Sequence, residues 1–290
     1  MNDNRPEPGA DAPIPEPKIA AAERPAGAQS EALQSGSRLV EDLIMGVRFY
    51  SRLPSGSSAH RKPELDRIAL ALPFASLIIG ALPALLLVLG AFIGMPGFFV
   101  AALAVAVQVA VTGGMAEDGL ADAADGLFGG SNPGRRLEIM RDSRHGTYGM
   151  VAIGLLLILR VTALGAAAAV HPLLGGALLL ASGVLSRSGS LYLSHALPHA
   201  RLDGISVTVG RVSRHAFGIG AAFAVALTFV LAAPGAHLMG FVTAVVFAGG
   251  VIVFWVWLCQ RLVGGQTGDL IGALQALIEV AALTAFMIFA

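Results

Sequence analysis

Four carboxylates lie within nine residues of this chain, directly after an apolar run: Glu117, Asp118, Asp122 and Asp125. If the segment is helical, Asp118, Asp122 and Asp125 occupy positions i, i+4 and i+7 and share one face, with Glu117 at its flank. Like charges on one face repel each other, and a divalent cation removes that repulsion. Because Mg²⁺ prefers a few hard oxygens together with substrate phosphates, the spacing predicts a Mg²⁺ site. The alternative is a solvated helix start favoured by the macrodipole, which accounts for one carboxylate better than for three.

Two glycines accompany these carboxylates. Gly119 and Gly126 have no Cβ, so either could let a bulky phosphate approach the backbone closely. Close packing of helices explains the same residues equally well, and both interpretations stay open.

Phosphate-binding side chains are predicted in two further places. Residues 135–149 contain four arginines and only two acidic residues, and a guanidinium group suits phosphate oxygens. Membrane topology also requires basic residues in such a segment, but a shaped site is favoured for Arg141, Asp142, Ser143 and Arg144. Arg187 lies inside an apolar run, where a charge needs a buried anion or partner.

Three more charges complete the set. Arg160 and Glu279 also lie in apolar runs, where an ion pair between helices is as good an explanation as a functional role. A glycine-rich turn at 264–268 contains Thr267 and precedes Asp269. The helix that follows could hold an anion at its N-terminus, or Asp269 could join the metal site.

The elements that must position these side chains are membrane helices. The chain is 55% hydrophobic and only 13% charged over 290 residues, which excludes an ordinary soluble domain. A net charge of zero argues against a nucleic-acid partner. A span needs roughly 20 apolar residues, so we predict an all-α polytopic protein with about seven transmembrane helices. The apolar stretches are 68–94, 97–115, 148–170, 172–195, 215–233, 237–259 and 271–290.

The N-terminal region differs from the rest. Residues 1–37 are rich in proline and poor in large apolar side chains, which predicts a disordered tail ahead of a membrane domain at 38–290. Residues 39–53 have apolar positions at helical spacing but are too short and charged to span, so we expect an interfacial or re-entrant helix. Lysines and arginines concentrate in the N-terminus and in loops 116–147, 196–214 and 260–270, which predicts that these segments face the cytoplasm.

Four motifs taken together resemble the cobalamin synthase family, the adenosylcobinamide-GDP ribazoletransferases. They are E-D-G-L-A-D-x-x-D-G at 117–126, R-R-L-E-I-M-R-D-S-R-x-G-T-Y-G at 135–149, S-R at 186–187 and G-G-x-T-G-D-x-x-G-A at 264–273. The resemblance covers about residues 39–290 and implies an enzyme of a bacterial cytoplasmic membrane with its active site on the cytoplasmic side. Whether the chain forms a homo-oligomer is left open.

The resemblance also implies a reaction and its substrates. α-Ribazole, or its 5′-phosphate, would attack the cobinamide-bearing phosphorus of adenosylcobinamide-GDP, and GMP would leave. We hypothesise that Asp118, Asp122 and Asp125, with Glu117, hold Mg²⁺ on the diphosphate. Asp269 would orient the nucleophile or complete the metal shell. The residues assigned to substrate binding are Gly119, Gly126, Arg141, Asp142, Ser143, Arg144, Arg187 and Thr267.

Two other functions are alternatives to this transferase. A CDP-alcohol phosphotransferase performs an analogous displacement, but the acidic segment departs at Asp122 from the D-x-x-D-G-x-x-A-R pattern that such enzymes need. A secondary transporter would place charges near the bilayer midplane in two pseudo-symmetric halves, whereas here the charges concentrate on one side.

Overall fold

The computed structural model describes residues 26–55, 62–142, 144, 146–201 and 205–289. Within these ranges the chain forms eleven helices and no β-strand, which confirms the predicted all-α class. The helices are α1 (Ala26–Tyr50), α2 (Leu65–Phe92), α3 (Gly97–Thr112), α4 (Met115–Gly129), α5 (Pro133–Ile139), α6 (Thr147–Val170), α7 (Pro172–Ser190), α8 (Tyr192–Ala196), α9 (Ile205–Val209), α10 (Arg214–Leu262) and α11 (Gly268–Phe289).

Each predicted apolar stretch lies largely within a helix. Helical backbone alone does not determine how many of these stretches cross the membrane. Four helices are long and apolar enough to cross a membrane: α2, α6, α10 and α11. The pair α3 and α4 would make a fifth if it were one broken span. Helix α10 covers two stretches that were predicted as separate spans, and its backbone is broken at His237, where φ is 58° and ψ is 169°. Seven spans therefore stay a prediction.

A bend of 86° between α3 and α4 is the feature of the fold that matters most for the site. Gly113 and Gly114 both adopt left-handed backbone, with φ of 68° and 70°, a conformation that glycine reaches without steric cost. The segment beyond the bend is helical, as assumed for the acidic residues. Most of 116–142 is therefore helix rather than the loop that was predicted, because α4 buries its alanines and Leu127 against α6 and α11.

Helix α11 lies at the centre of the bundle and packs against α4, α6, α7 and α10. Its first residues, which follow the glycine-rich turn, are thereby fixed beside the start of α4. Helix α1 is held to α2 by an ion pair in which the Arg67 Nε donates to the Asp42 Oδ1 at 2.7 Å. The C-terminal end of α1 also lies near the start of α4.

The N-terminal prediction meets the structure only in part. Helix α1 begins at Ala26, so residues 26–37, which composition predicts to be disordered, have helical backbone. Alanine, glutamine, glutamate and leucine are strong helix formers and are frequent in this short stretch. Residues 1–25 lie outside the described residues. One compact unit begins at Leu39 and contains every site discussed below.

Candidate active site

A cavity of about 450 Å³ opens where the end of α1 meets the starts of α4 and α11. Residues 48–52 form one wall, and Asp118 and Gly119 of α4 form another. Asp269 and Gln275 of α11 contribute to the lining as well. The cavity thus brings together two carboxylates from distant parts of the sequence, facing the basic end of α1.

Close contact between α4 and α11 explains why the two carboxylates come together. A Cβ added at Gly119 would lie 2.8 Å from the carbonyl oxygen of Asp269 and 3.2 Å from the Cα of Gly272. Only a glycine allows this approach, so Gly119 serves helix packing even though it also lines the cavity. Gly126 serves packing too, since a Cβ there would lie 2.4 Å from the Met140 side chain.

Asp269 is held in a fixed orientation by its neighbours. Its Oδ2 accepts hydrogen bonds from the Arg201 guanidinium at 2.7 Å and from the Thr267 hydroxyl at 3.3 Å. The Thr267 hydroxyl also accepts the backbone N–H of Leu270 at 3.2 Å, so this buried residue caps the start of α11. Thr267 therefore stabilises both the orientation of the Asp269 side chain and the start of α11. Asp269 Oδ2 is occupied, whereas Oδ1 accepts no hydrogen bond from the described residues.

Arg201 reaches Asp269 because two loops pair with each other. The Gln266 N–H donates to the Pro198 carbonyl at 2.8 Å, and the Ala200 N–H donates to the Gln266 carbonyl at 2.9 Å. The Gln266 side chain also hydrogen-bonds the His199 ring at 2.7 Å. Gly265 makes the approach possible, since a Cβ there would lie 2.6 Å from the Pro198 carbonyl oxygen. The glycine-rich turn is thus a docking point for the loop that carries Arg201.

The acidic stripe of α4 is divided among three different environments. Asp118 is exposed at the cavity, and Asp122 is half-buried one turn further along. Asp125 is buried, and its two oxygens accept the backbone N–H groups of Gly146 at 2.6 Å and Gly149 at 2.9 Å. Asp125 therefore caps the start of α6. Among the described residues no group of three or more histidine, cysteine, aspartate or glutamate side chains could hold a metal ion.

We expect Asp125→Ala to lower the free energy of unfolding by about 2–3 kcal/mol, because the N–H groups of Gly146 and Gly149, the second of them buried, lose a charged acceptor. Thermal unfolding of the purified protein in detergent would measure the change. Glu138→Ala is a suitable control, since Glu138 is exposed and paired only with Arg135. An unchanged stability combined with a higher Mg²⁺ requirement would instead favour the metal role predicted from the sequence.

Glu117 belongs to a buried charge network rather than to the cavity. The Arg160 guanidinium pairs with Glu117 of α4 and with Glu279 of α11. The Gln108 side chain of α3 donates to Glu279 at 3.3 Å. The alternative explanation of Arg160 and Glu279, an ion pair between helices, is therefore the one found. The network joins four helices, α3, α4, α6 and α11.

Arg160→Ala is expected to cost about 3–5 kcal/mol of stability, because removing the shared cation leaves two buried carboxylates without a partner. Thr162→Ala provides a control on the same helix. Its exposed hydroxyl bonds only to carbonyls of its own helix, and its loss should change stability by less than about 0.5 kcal/mol. Similar melting temperatures for the two variants in the same detergent would contradict the assignment of Arg160 as the central cation of the network.

Arg187 is buried in α7, with 2% of its surface exposed. Among the described residues its guanidinium donates one hydrogen bond, to the Gly183 carbonyl at 3.3 Å. Arg187 does not line the cavity described above. Among the described residues its buried Nε has no hydrogen-bond partner, and the predicted phosphate role of Arg187 stays a prediction.

The predicted arginine cluster before α6 lies apart from the cavity. The Arg144 guanidinium forms a bidentate pair with Asp142, with distances of 3.1 Å and 2.7 Å, and both side chains are exposed. This guanidinium lowers the pKa of the Asp142 carboxyl to about 2, so the pair is ionised at neutral pH. Arg141 is also exposed, and Ser143 lies outside the described residues.

Sequence reasoning missed the basic residues that the cavity does contain. Arg48 lies in the last turn of α1 and Arg52 lies two residues beyond its end. Charges at the end of an amphipathic segment are typical of a membrane interface, so nothing in the local pattern distinguishes Arg52 from a topology residue. The contacts of Arg52 with Val111 and Gly113, at the end of α3, place it near the carboxylates.

Comparison with known proteins gives one family. The model of the cobalamin-5-phosphate synthase family matches residues 42–287. Three relatives are each named adenosylcobinamide-GDP ribazoletransferase. The protein of Azorhizobium caulinodans is 39% identical over 258 residues, covering 88% of this chain and 98% of the relative. That of Brucella anthropi is 38% identical, covering 84% and 95%, and that of Xanthobacter autotrophicus is 41% identical, covering 87% and 97%. No solved structure matches the chain.

Proposed function

The chain belongs to the cobalamin-5-phosphate synthase family, and on that basis we propose that it is an adenosylcobinamide-GDP ribazoletransferase of cobalamin biosynthesis. In this reaction a hydroxyl oxygen of α-ribazole, or of its 5′-phosphate, forms a bond to the cobinamide-bearing phosphorus and loses its proton. The bond between this phosphorus and the bridging oxygen breaks, and GMP leaves with that oxygen.

The observation that best supports this proposal is the meeting of Asp118 and Asp269 in one cavity beside basic side chains. Displacement at phosphorus needs charge stabilisation on the transferred group and on the leaving oxygen. Asp118 is the member of the stripe that lines the cavity and could hold Mg²⁺ there, whereas Glu117 is paired with Arg160 and Asp125 caps α6. Mg²⁺ at that place would act as a Lewis acid on the diphosphate.

Asp269 is proposed to orient the attacking hydroxyl or to complete the metal shell. Arg201 and Thr267 bind one carboxylate oxygen of Asp269 and thereby fix the orientation of the side chain. The other oxygen accepts no hydrogen bond from the described residues and has a fixed direction. Arg201 is thus a positioning residue for Asp269. A pre-oriented acceptor of this kind reduces the freedom that the nucleophile must lose on the way to the transition state.

The size of the cavity indicates which part of the substrate enters it. Pockets of roughly 300–1,000 Å³ bury ligands of drug size, and a cavity of about 450 Å³ is at the lower end of that range. A nucleotide-sized portion fits such a space, whereas the corrin ring with its substituents is much larger. We therefore propose that the phosphates and one nucleoside lie in the cavity and that the corrin ring stays outside it.

The orientation in the membrane is likewise proposed from charge. Lysines and arginines are concentrated in the N-terminal segment and around 135–144 and 201–214. By the positive-inside rule these segments face the cytoplasm, so we place the active site on the cytoplasmic side of a bacterial inner membrane.

A mass-spectrometric assay of the purified protein tests the function directly. The reaction contains adenosylcobinamide-GDP, α-ribazole 5′-phosphate and Mg²⁺, and a parallel reaction contains EDTA. We expect GMP and a product of cobalamin 5′-phosphate mass only when the metal is present. Folded protein that forms neither product would refute the transferase assignment, and product formation in EDTA would refute the metal assignment alone.

A further inference from the structure

Arg52 differs from every other cation at the cavity in having no partner within the described residues. Arg48 donates from its Nε to the Ser55 hydroxyl at 2.7 Å, and Arg201 is paired with Asp269. Arg52 lines the same cavity and is exposed, and none of the described residues forms an ion pair with its guanidinium. Its charge is therefore available to a ligand that enters the cavity.

The backbone at Arg52 is fixed even though its side chain has no partner. The Arg52 N–H donates to the carbonyl of Val111 at 2.7 Å, at the end of α3. The side chain then lies against Gly113, since a Cβ added there would be 2.5 Å from the Arg52 Nε and 3.2 Å from its Cγ. Gly113 thus leaves room for Arg52 beside the bend that sets the direction of α4.

The charge of the cavity explains why such a cation is needed. Asp269 is balanced by Arg201, and Asp118 together with a bound metal ion would neutralise only part of a diphosphate. An arginine fork offers charge-assisted hydrogen bonds to phosphate oxygens. Arg52 lines the same cavity as Asp118 of α4 and Asp269 of α11.

We propose that Arg52 is a substrate-binding residue that contacts a phosphate group of the nucleotide held in the cavity. This inference deepens the proposed function and rests on it. The phosphate could belong to the GDP portion of the corrinoid substrate or to α-ribazole 5′-phosphate, since both present the same oxygens to a guanidinium group.

The test measures binding of paired ligands that differ only in their phosphates. GDP is compared with guanosine, and α-ribazole 5′-phosphate is compared with α-ribazole, each in the presence of Mg²⁺. We expect Arg52→Ala to weaken binding of at least one phosphorylated ligand by roughly 10- to 100-fold and to leave its phosphate-free counterpart unchanged. The affected pair identifies the source of the phosphate. Arg52→Lys should restore part of the loss, and Arg135→Ala, at an exposed site on α5, should bind like the wild type.

A second pair of variants tests the same contact without removing the charge. Gly113→Ala and Gly114→Ala share the strain of a left-handed backbone, but only the first places a Cβ against Arg52. At Gly114 the nearest atom to an added Cβ is 3.9 Å away, on Val109. Because both variants strain the bend, we expect Gly113→Ala to raise the KM for the substrate whose phosphate Arg52 contacts well above the value for Gly114→Ala, and equal KM values in the two variants would overturn the contact.

The failures of the two proposals can be told apart. A wild-type protein that binds no nucleotide and forms no product fails the proposed function itself. An active wild type whose Arg52→Ala variant binds both phosphorylated ligands normally overturns the role of Arg52 alone. Equal loss of phosphorylated and phosphate-free ligands in Arg52→Ala overturns it as well, since a structural role would reduce both.

Discussion

Replacing Asp118 with asparagine is expected to lower turnover by roughly 10²- to 10³-fold while leaving the fold intact. In the described part of the chain, Asp118 is the member of the acidic stripe that lines the cavity. Its side chain is exposed, so the change to a neutral amide leaves no buried group without a partner. The expected loss corresponds to about 3–4 kcal/mol of transition-state stabilisation, a reasonable share for a metal ligand.

The measurement is the rate of GMP formation at saturating substrates over a range of Mg²⁺ concentrations. If Asp118 holds the metal, its asparagine variant should need more Mg²⁺ for half-maximal activity as well as turning over more slowly. Asp122→Asn should shift the Mg²⁺ dependence in the same direction, because Asp122 lies one turn away on the same face. Glu138→Gln on α5 serves as the control for loss of an exposed carboxylate. Wild-type turnover in Asp118→Asn would remove the acidic stripe from the mechanism.

The helices were the part of the fold most open to prediction. Their apolar stretches are long and clear, and the helix that was assumed for 115–127 is present as α4. The break at His237 was visible only as the short gap between two apolar stretches. The direction of α4 was not visible, since it depends on two left-handed glycines whose sequence pattern equally fits a simple turn.

The sequence analysis identified the acidic residues of the cavity but not its basic residues. Asp118 and Asp269 were both singled out, and the structure brings them to one cavity. Asp125 shares the helical face of Asp118, yet its oxygens bind the start of α6, a tertiary contact that no spacing rule contains. Arg52 was passed over for the converse reason, because its importance depends entirely on what packs opposite it.

The buried charges also show that the local sequence does not identify the partner of a residue. A charge in an apolar run signals that a partner must exist, and this inference held for Arg160. The signal does not say whether the partner is a substrate or another helix. For Arg187 the sequence predicts a phosphate partner, and this stays a prediction, since its buried Nε has no hydrogen-bond partner among the described residues.

Asp269→Asn is the second variant for which we expect a large effect, a fall in turnover of roughly 10²- to 10⁴-fold if this carboxylate acts on the nucleophile's proton. An asparagine keeps the shape of the side chain and can still accept from Arg201 and Thr267 through its amide oxygen. The amide has only one acceptor oxygen, however, and the fixed carboxylate oxygen that would face the attacking hydroxyl is lost. Thermal unfolding should therefore change little while turnover falls.

The two roles proposed for Asp269 predict different kinetics, which makes this variant the most informative one. If Asp269 completes the metal shell, the asparagine variant should need more Mg²⁺, as Asp118→Asn should. If it orients the nucleophile, the Mg²⁺ dependence should be unchanged and kcat should fall at saturating α-ribazole 5′-phosphate. Arg201→Ala should follow the same pattern with a smaller loss, because Asp269 keeps its charge but loses one of its two holding contacts. Near-normal turnover in both variants would leave Asp269 as a residue that only secures the start of α11, and the nucleophile would have to be oriented by another group in the cavity.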